Sequence, residues 1–191
     1  IPPLMVILAG MVVSSLFSAL VSLVKYAADP QDVLPSITYW LMGSMASTTR
    51  TTLLMGAPFI IAGSLLLFLL RWKLNTMSLP EDEAKSLGIP VKRIRSLVIL
   101  GAAMVTAAVV SMCGQIGWIG LLIPHMVRMI FGNDNRSVVP ASMASGALFM
   151  LMIDTAARSV MATEIPVSIL TSLIGAPCFI LLLRKTGGIR L

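Results

Sequence analysis

Apolar residues run in long blocks along this chain, and short polar clusters separate them. Residues 4–24 carry 21 positions without a charge, enough to cross about 30 Å of hydrocarbon at about 1.5 Å per residue. Gly10, Ser14, Ser18 and Ser22 fall four apart in this block. That spacing lines one helix face with small side chains, suited to close helix contact or to a narrow aqueous path. Residues 51–70 form a second span, bent at Pro58 because proline removes a backbone donor and clashes with the preceding turn. Residues 97–113 form a short third span with Ala103, Ala107 and Ser111 again four apart. Three glycines within residues 114–120 then predict a departure from helical geometry before a helix resumes toward Pro124, His125 and Arg128. Residues 116–131 measure only about 24 Å even if wholly helical, so a broken span is expected, its irregular part buried in protein or lining a cavity. Residues 138–157 and 167–183 supply the last two spans, the latter interrupted at Gly175-Ala176-Pro177.

The polar clusters add the elements outside the hydrocarbon. Residues 71–95 hold seven central charges, Glu81, Asp82, Glu83, Lys85, Lys92, Arg93 and Arg95. Burying them in a bilayer at about 2.5–3.5 kcal/mol each would cost about 20 kcal/mol, so the segment lies in water. Within it, Ser78-Leu79-Pro80-Glu81 reads as a capping box that starts a helix, and Gly88 with Pro90 beyond it reads as a stop. A helix of about two turns is marginal alone in water, so this one is expected either to dock on a partner or to lie on lipid headgroups. A second helix begins near Val91 and runs into the third span. Residues 25–50 form a wet loop with a short helical element started at Asp32 or Pro35 and stopped by Gly43, with Tyr39 and Trp40 at headgroup level. Residues 132–136 read as a plain turn, and a basic tail runs from Arg184 to Leu191.

Composition narrows the class. At 57% hydrophobic, 12% charged and a mean hydropathy of +0.95 over 191 residues, the chain has too little polar surface to fold as a water-soluble domain. It is predicted to be an all-α, polytopic membrane helix bundle: about six transmembrane segments, one of them broken, with short cytoplasmic coupling helices and a short periplasmic helix. The net charge of +6 does not point to nucleic acid, because the basic residues fall in loops rather than on one face. Eleven of them (Arg71, Lys73, Lys85, Lys92, Arg93, Arg95, Arg128, Arg136, Arg184, Lys185, Arg190) lie on one side of six crossings, and Lys25, Arg50 and Arg158 on the other. The excess of basic residues places the charged connector and both ends of the chain in the cytoplasm. Cys113 and Cys178 imply neither a disulfide framework nor a metal cluster. The opening Ile1-Pro2-Pro3 leads straight into an apolar run without a methionine, as a fragment or a processed chain would.

Several stretches together resemble the permease family of bacterial binding-protein-dependent ABC importers for iron chelates, haem and cobalamin. They are Leu8-Ala9-Gly10, Trp40 through Ser44, Ser86-Leu87-Gly88 with Val91-Lys92-Arg93, Gly117 through Leu121 with Pro124-His125, Asp154 to Arg158, Glu164 through Val167, and Gly175-Ala176-Pro177. Gln115 departs from the pattern, since the family commonly has proline there. Family permeases carry about ten membrane helices, so the resemblance makes this chain a single transmembrane domain, the C-terminal six. It implies a homodimer with a second permease copy and a path lined partly by Gly10, Ser14, Ser18 and Ser22. It implies two cytoplasmic ATP-binding subunits docked on the connector through Glu81, Asp82, Ala84, Lys85, Leu87 and Gly88. It also implies a periplasmic or lipid-anchored substrate-binding protein met by Arg158, with Asp154 holding the guanidinium.

No catalytic grouping, resident cofactor or metal site is predicted: there is one histidine, no Cys/His cluster and no phosphate-binding loop. Gly117, Gly120, Pro124, His125 and Pro177 are assigned to the broken helices. His125 is read as a structural histidine bonded to freed backbone, or alternatively as a ligand or proton carrier. The fourteen methionines serve as packing filler or as a soft path wall. Asp154 and Arg158 could also be a self-contained ion pair. A secondary transporter or channel would use broken helices too, and an intramembrane enzyme would need paired polar residues at depth, which Asp154 alone does not supply.

Overall fold

The computed structural model describes residues 2–160 and 162–186; Arg190, counted above among the basic residues, lies outside the described residues. Every regular element among them is helical. The chain divides into two compact units, residues 1–41 and residues 42–191.

The first unit holds α1 (Pro3–Ala27) and α2 (Val33–Leu41). Pro3 occupies the first helical position, where the missing N–H costs nothing. Lys25 lies in the last turn, where a cation suits the negative end of the helix dipole. None of the residues of α1 is buried, and the small-residue ridge is open: a Cβ on Gly10 would meet nothing within 4 Å.

The second unit holds α3 (Arg50–Leu74), α4 (Glu81–Ser86), α5 (Val91–Cys113), α6 (Ile119–Phe131), α7 (Asn135–Ser159) and α8 (Val167–Lys185). Among the described residues, five helices are long and apolar enough to cross a membrane: α1, α3, α5, α7 and α8; α6, at 13 residues, is shorter. Thr49 and Thr52 form a reciprocal capping box, so Arg50 belongs to α3 and not to the preceding loop. α5 starts at Val91, where a helix entering the third span is expected, and runs unbroken for 23 residues.

α3 and α5 pack at glycines. A Cβ on Gly63 would lie 2.7 Å from Val105 Cγ2 and 2.8 Å from the Gly101 carbonyl oxygen, so only hydrogen fits between the two backbones. Buried side chains also form two small clusters, Ile123, Val127 and Val138 between α6 and α7, and Ile153, Ala157 and Val167 between α7 and α8.

Polar bonds define the two ends of this unit. At one end the Asn75 side chain, after α3, bonds the turn before α7. At the other, the Ser44 N–H donates to the Cys113 carbonyl at the end of α5 (2.8 Å), and the Ser168 N–H at the start of α8 donates to the Gly43 carbonyl (3.5 Å). Both serve backbone groups that helix ends leave without internal partners.

Two expectations are corrected here. The Ser78 capping box does not form: Thr76–Ser78 is a 3₁₀ turn, and Pro80 caps α4 with no side-chain bond. The residue before a proline is driven to extended geometry, and Leu79 has ψ 153°, so the helix cannot start until Pro80 is passed. Nor is the last span interrupted, since α8 runs through Gly175, Ala176 and Pro177 without a break.

Candidate functional site

The charged connector shows one short helix from several sides. Glu81, Asp82 and Glu83 fill the first turn of α4 and Lys85 its last, the order its dipole favours. Lys85 Nζ lies 3.2 Å from Glu81 Oε1, and the hydrogen bond and charge of Lys85 hold the Glu81 carboxyl below the usual carboxylate range. The helix ends in a Schellman motif: Gly88 N–H donates to Lys85 O and Ile89 N–H to Ala84 O, with Gly88 at φ +72°. Leu87 is 65% exposed. Ala84, grouped above with the docking contacts, is instead 1% exposed. It is the only buried residue of α4, which rests on α5 and on the 3₁₀ turn. The outward surface is therefore Glu81, Asp82, Lys85 and Leu87, with Gly88 at its edge, and Ala84 faces the permease.

The turn at residues 132–136 is not plain. Asp134 caps α7 by accepting from the Arg136 N–H, and the same Oδ1 accepts from Asn75 Nδ2 at 2.6 Å. These two bonds, the Asn75 one first, hold the Asp134 carboxyl below the usual aspartate range. Asn75 Oδ1 accepts from the Asn135 N–H at 2.8 Å, and Arg128, in the last turn of α6, donates to Asn135 Oδ1 at 3.2 Å. The Arg136 guanidinium lies 3.9 Å over the Trp72 ring. Nothing local in the sequence joins this group, because Asn75 lies 59 and 60 residues from Asp134 and Asn135.

The opposite end carries the break before α6. Positive φ falls on Gly114 (+71°) and Trp118 (+69°) and not on Gly117 or Gly120. The Ile119 N–H donates to the Gly117 carbonyl at 2.9 Å, a γ-turn around Trp118 of the strained hand. Holding a bulky residue there costs about 1–3 kcal/mol, and packing offsets it. The Trp118 ring lies 6.1 Å from that of Phe179, and a Cβ on Gly175 would sit 2.8 Å from Trp118 Cβ. Gly175 thus admits the Trp118 side chain against an intact α8 and does not break it. Gly43, at φ +74°, lies with its backbone against the Gln115 carbonyl. The irregular stretch is packed in protein at both Gly43 and Gly175. His125, with Pro124 inside α6, turns its ring edge to Phe179 at 5.9 Å. Its Nε2 is buried without a hydrogen-bond partner, so this nitrogen does not make the expected bond to freed backbone.

Beside that end, Arg158 Nε lies 3.0 Å from Asp154 Oδ2 and Arg158 Nη1 3.7 Å from Glu164 Oε1. Glu164, from the Glu164 through Val167 stretch, makes the predicted pair a triad with Arg158 half exposed. Between α3 and α5 a cleft of about 680 Å³ is lined by Met55, Met104, Met112 and Phe59 together with Ala103, Ala107 and Ser111. Three methionines and the second small-residue ridge share that wall.

A family model described as the FecCD transport family matches residues 1–185. The chain belongs to that family. It is 49% identical over 183 residues to the molybdate import system permease protein MolB of Haemophilus influenzae, covering 95% of this chain and 54% of that protein. It is 38% identical over 186 residues to a permease protein of Helicobacter pylori assigned to iron chelatin transport, covering 97% and 57%. An ABC transporter assigned to the metal-chelate type, solved in an inward-facing conformation, superposes with a TM-score of 0.92 at 48% identity, covering 96% of this chain and 59% of the solved one. The chain therefore spans a little over half the length of the relatives it matches. Family membership and five apolar spans make this FecCD chain a multi-pass protein of the inner membrane.

Proposed function

We propose that this FecCD chain is the C-terminal, six-segment part of an ABC importer permease that moves a metal chelate or an oxyanion such as molybdate into the cytoplasm. Two separate ATP-binding subunits drive it by docking on α4 and its flanks at the cytoplasmic end. A second permease copy completes the path, the Gly10, Ser14, Ser18 and Ser22 ridge of α1 lying at the dimer axis. A substrate-binding protein docks at the opposite end, where the Arg158 guanidinium offers two donors to an acidic partner.

The observation that carries this reading is α4: six residues, held in water by their charge, tethered directly to α3 and α5, and exposing Leu87 on a chain whose family match runs through the connector. Two turns of helix gain little alone. On a rigid mount between two spans, they deliver any push from a partner to both. Copurification tests it. The full-length permease carried through mild detergent should retain its ATPase in stoichiometric amount, and a permease recovered free of it under conditions that keep both folded would refute the proposal.

A further inference from the structure

The geometry points to Asn75 as a positioning residue that joins the ATPase-docking segment to the broken helix, a role that rests on the importer reading above. A continuous path of short contacts supports it. α4 rests on the 3₁₀ turn Thr76–Ser78, which is closed by the Ser78 N–H on the Asn75 carbonyl at 3.2 Å. The Asn75 side chain then spends both of its polar atoms on the turn between α6 and α7, donating to Asp134 Oδ1 (2.6 Å) and accepting from the Asn135 N–H (2.8 Å). Asn135 is 8% exposed, and its side chain takes the Arg128 guanidinium from the last turn of α6. Displacement of α4 thus reaches α6, and through it Trp118 and the irregular stretch, by hydrogen bonds as well as through α5.

The side chain needed at this point is unusual. It must donate to a carboxylate and accept from a backbone amide within one planar group, which an asparagine amide does and an alanine, serine or aspartate does not. The Trp72 and Arg136 contact alongside adds a second tie between the end of α3 and the start of α7. Contiguous polar networks of this kind carry coupling when both ends belong to elements that move.

The test uses the full-length permease with its ATPase and binding protein in proteoliposomes, with radiolabelled molybdate, haemin and a ferric siderophore as probes. Asn75→Ala should keep the ATPase bound and hydrolysing while uptake per ATP falls about tenfold, equivalent to about 1.4 kcal/mol. Asn75→Asp should fail similarly, because two carboxylates then face each other. Asp134→Asn keeps an Oδ1 that accepts from both Asn75 and the Arg136 N–H and still caps α7, so it should retain most of the coupling. Unchanged coupling in Asn75→Ala, or an Asp134→Asn variant as poor as Asn75→Ala, would overturn the inference. If the wild type carries none of the probes, the importer reading fails by itself. The joint is then judged by hydrogen exchange: faster exchange at the Asn135 amide and along α6 in Asn75→Ala but not in Asp134→Asn upholds it, and equal exchange in Asn75→Ala and wild type, or in the two variants, overturns it.

Discussion

Substituting the two apolar residues of α4 should produce opposite failures, because one faces out and the other in. Leu87 is 65% exposed and Ala84 is 1% exposed. Fully covering a leucine is worth about 1.5–3 kcal/mol, so covering the exposed share of Leu87 against an ATPase contributes about 1–2 kcal/mol. Leu87→Asp removes that and adds a carboxylate to be desolvated, so affinity for the ATPase should fall at least about five- to thirtyfold. The stability of the permease itself should move by no more than about 0.5 kcal/mol, as for other exposed positions. Ala84→Asp should do the reverse. A carboxylate placed where no water reaches costs at least about 2 kcal/mol of folding stability, so thermal unfolding comes earlier and any loss of ATPase binding follows from that. The assay pairs a titration of the labelled ATPase against detergent-solubilised permease with a melting curve of the permease alone. Wild-type affinity in Leu87→Asp, or a wild-type melting curve in Ala84→Asp, would refute the assignment of the two faces.

Gly63→Ala should destabilise the α3 and α5 pair by about 1–3 kcal/mol, since one neighbour of the added methyl is a backbone carbonyl that cannot turn aside; a wild-type melting curve would contradict the packing described. Arg158→Glu should slow association of the binding protein and reverse its salt dependence, whereas equal rates at low and high salt would leave only the internal triad with Asp154 and Glu164. The Asp134 carboxyl is held below its ordinary value in the folded protein. Its contribution to stability is therefore complete above the ordinary aspartate value of about 3.9 and is lost as pH falls through the lowered one. Transport coupling should accordingly show no Asp134-dependent change between about pH 5 and pH 8 when wild type is compared with Asp134→Asn; a transition in that range unique to wild type would argue against the bond to Asn75.

Hydropathy alone made the spans legible, because crossing a bilayer demands length and apolarity and little else. The connector was legible for the converse reason: seven charges cannot enter hydrocarbon. Gly88 was readable as a helix stop, since few residues other than glycine take its backbone conformation. Where local rules compete, the pattern along the chain does not decide the structure. Ser78 and Glu81 have capping-box spacing, but Pro80 between them forbids the helix that the box would start. Gly175 and Pro177 look like a break, yet the glycine serves a tryptophan from another helix, and that need appears only once Trp118 is in place. The left-handed turn falls on Trp118 despite glycines one residue before and two after it, because aromatic packing against Phe179 decided the position. The pairing of Asn75 with Asp134 carried no signal, each being an ordinary polar residue in a turn until the fold brings them together.

In the proposed importer, an ATPase on the connector drives substrate through these helices. Full-length permease, ATPase and binding protein in sealed proteoliposomes, given radiolabelled molybdate or a ferric chelate with ATP, should accumulate substrate; a non-hydrolysable ATP analogue, or Leu87→Asp in place of wild type, should abolish accumulation. Accumulation driven by an ion gradient with the ATPase left out would contradict the account.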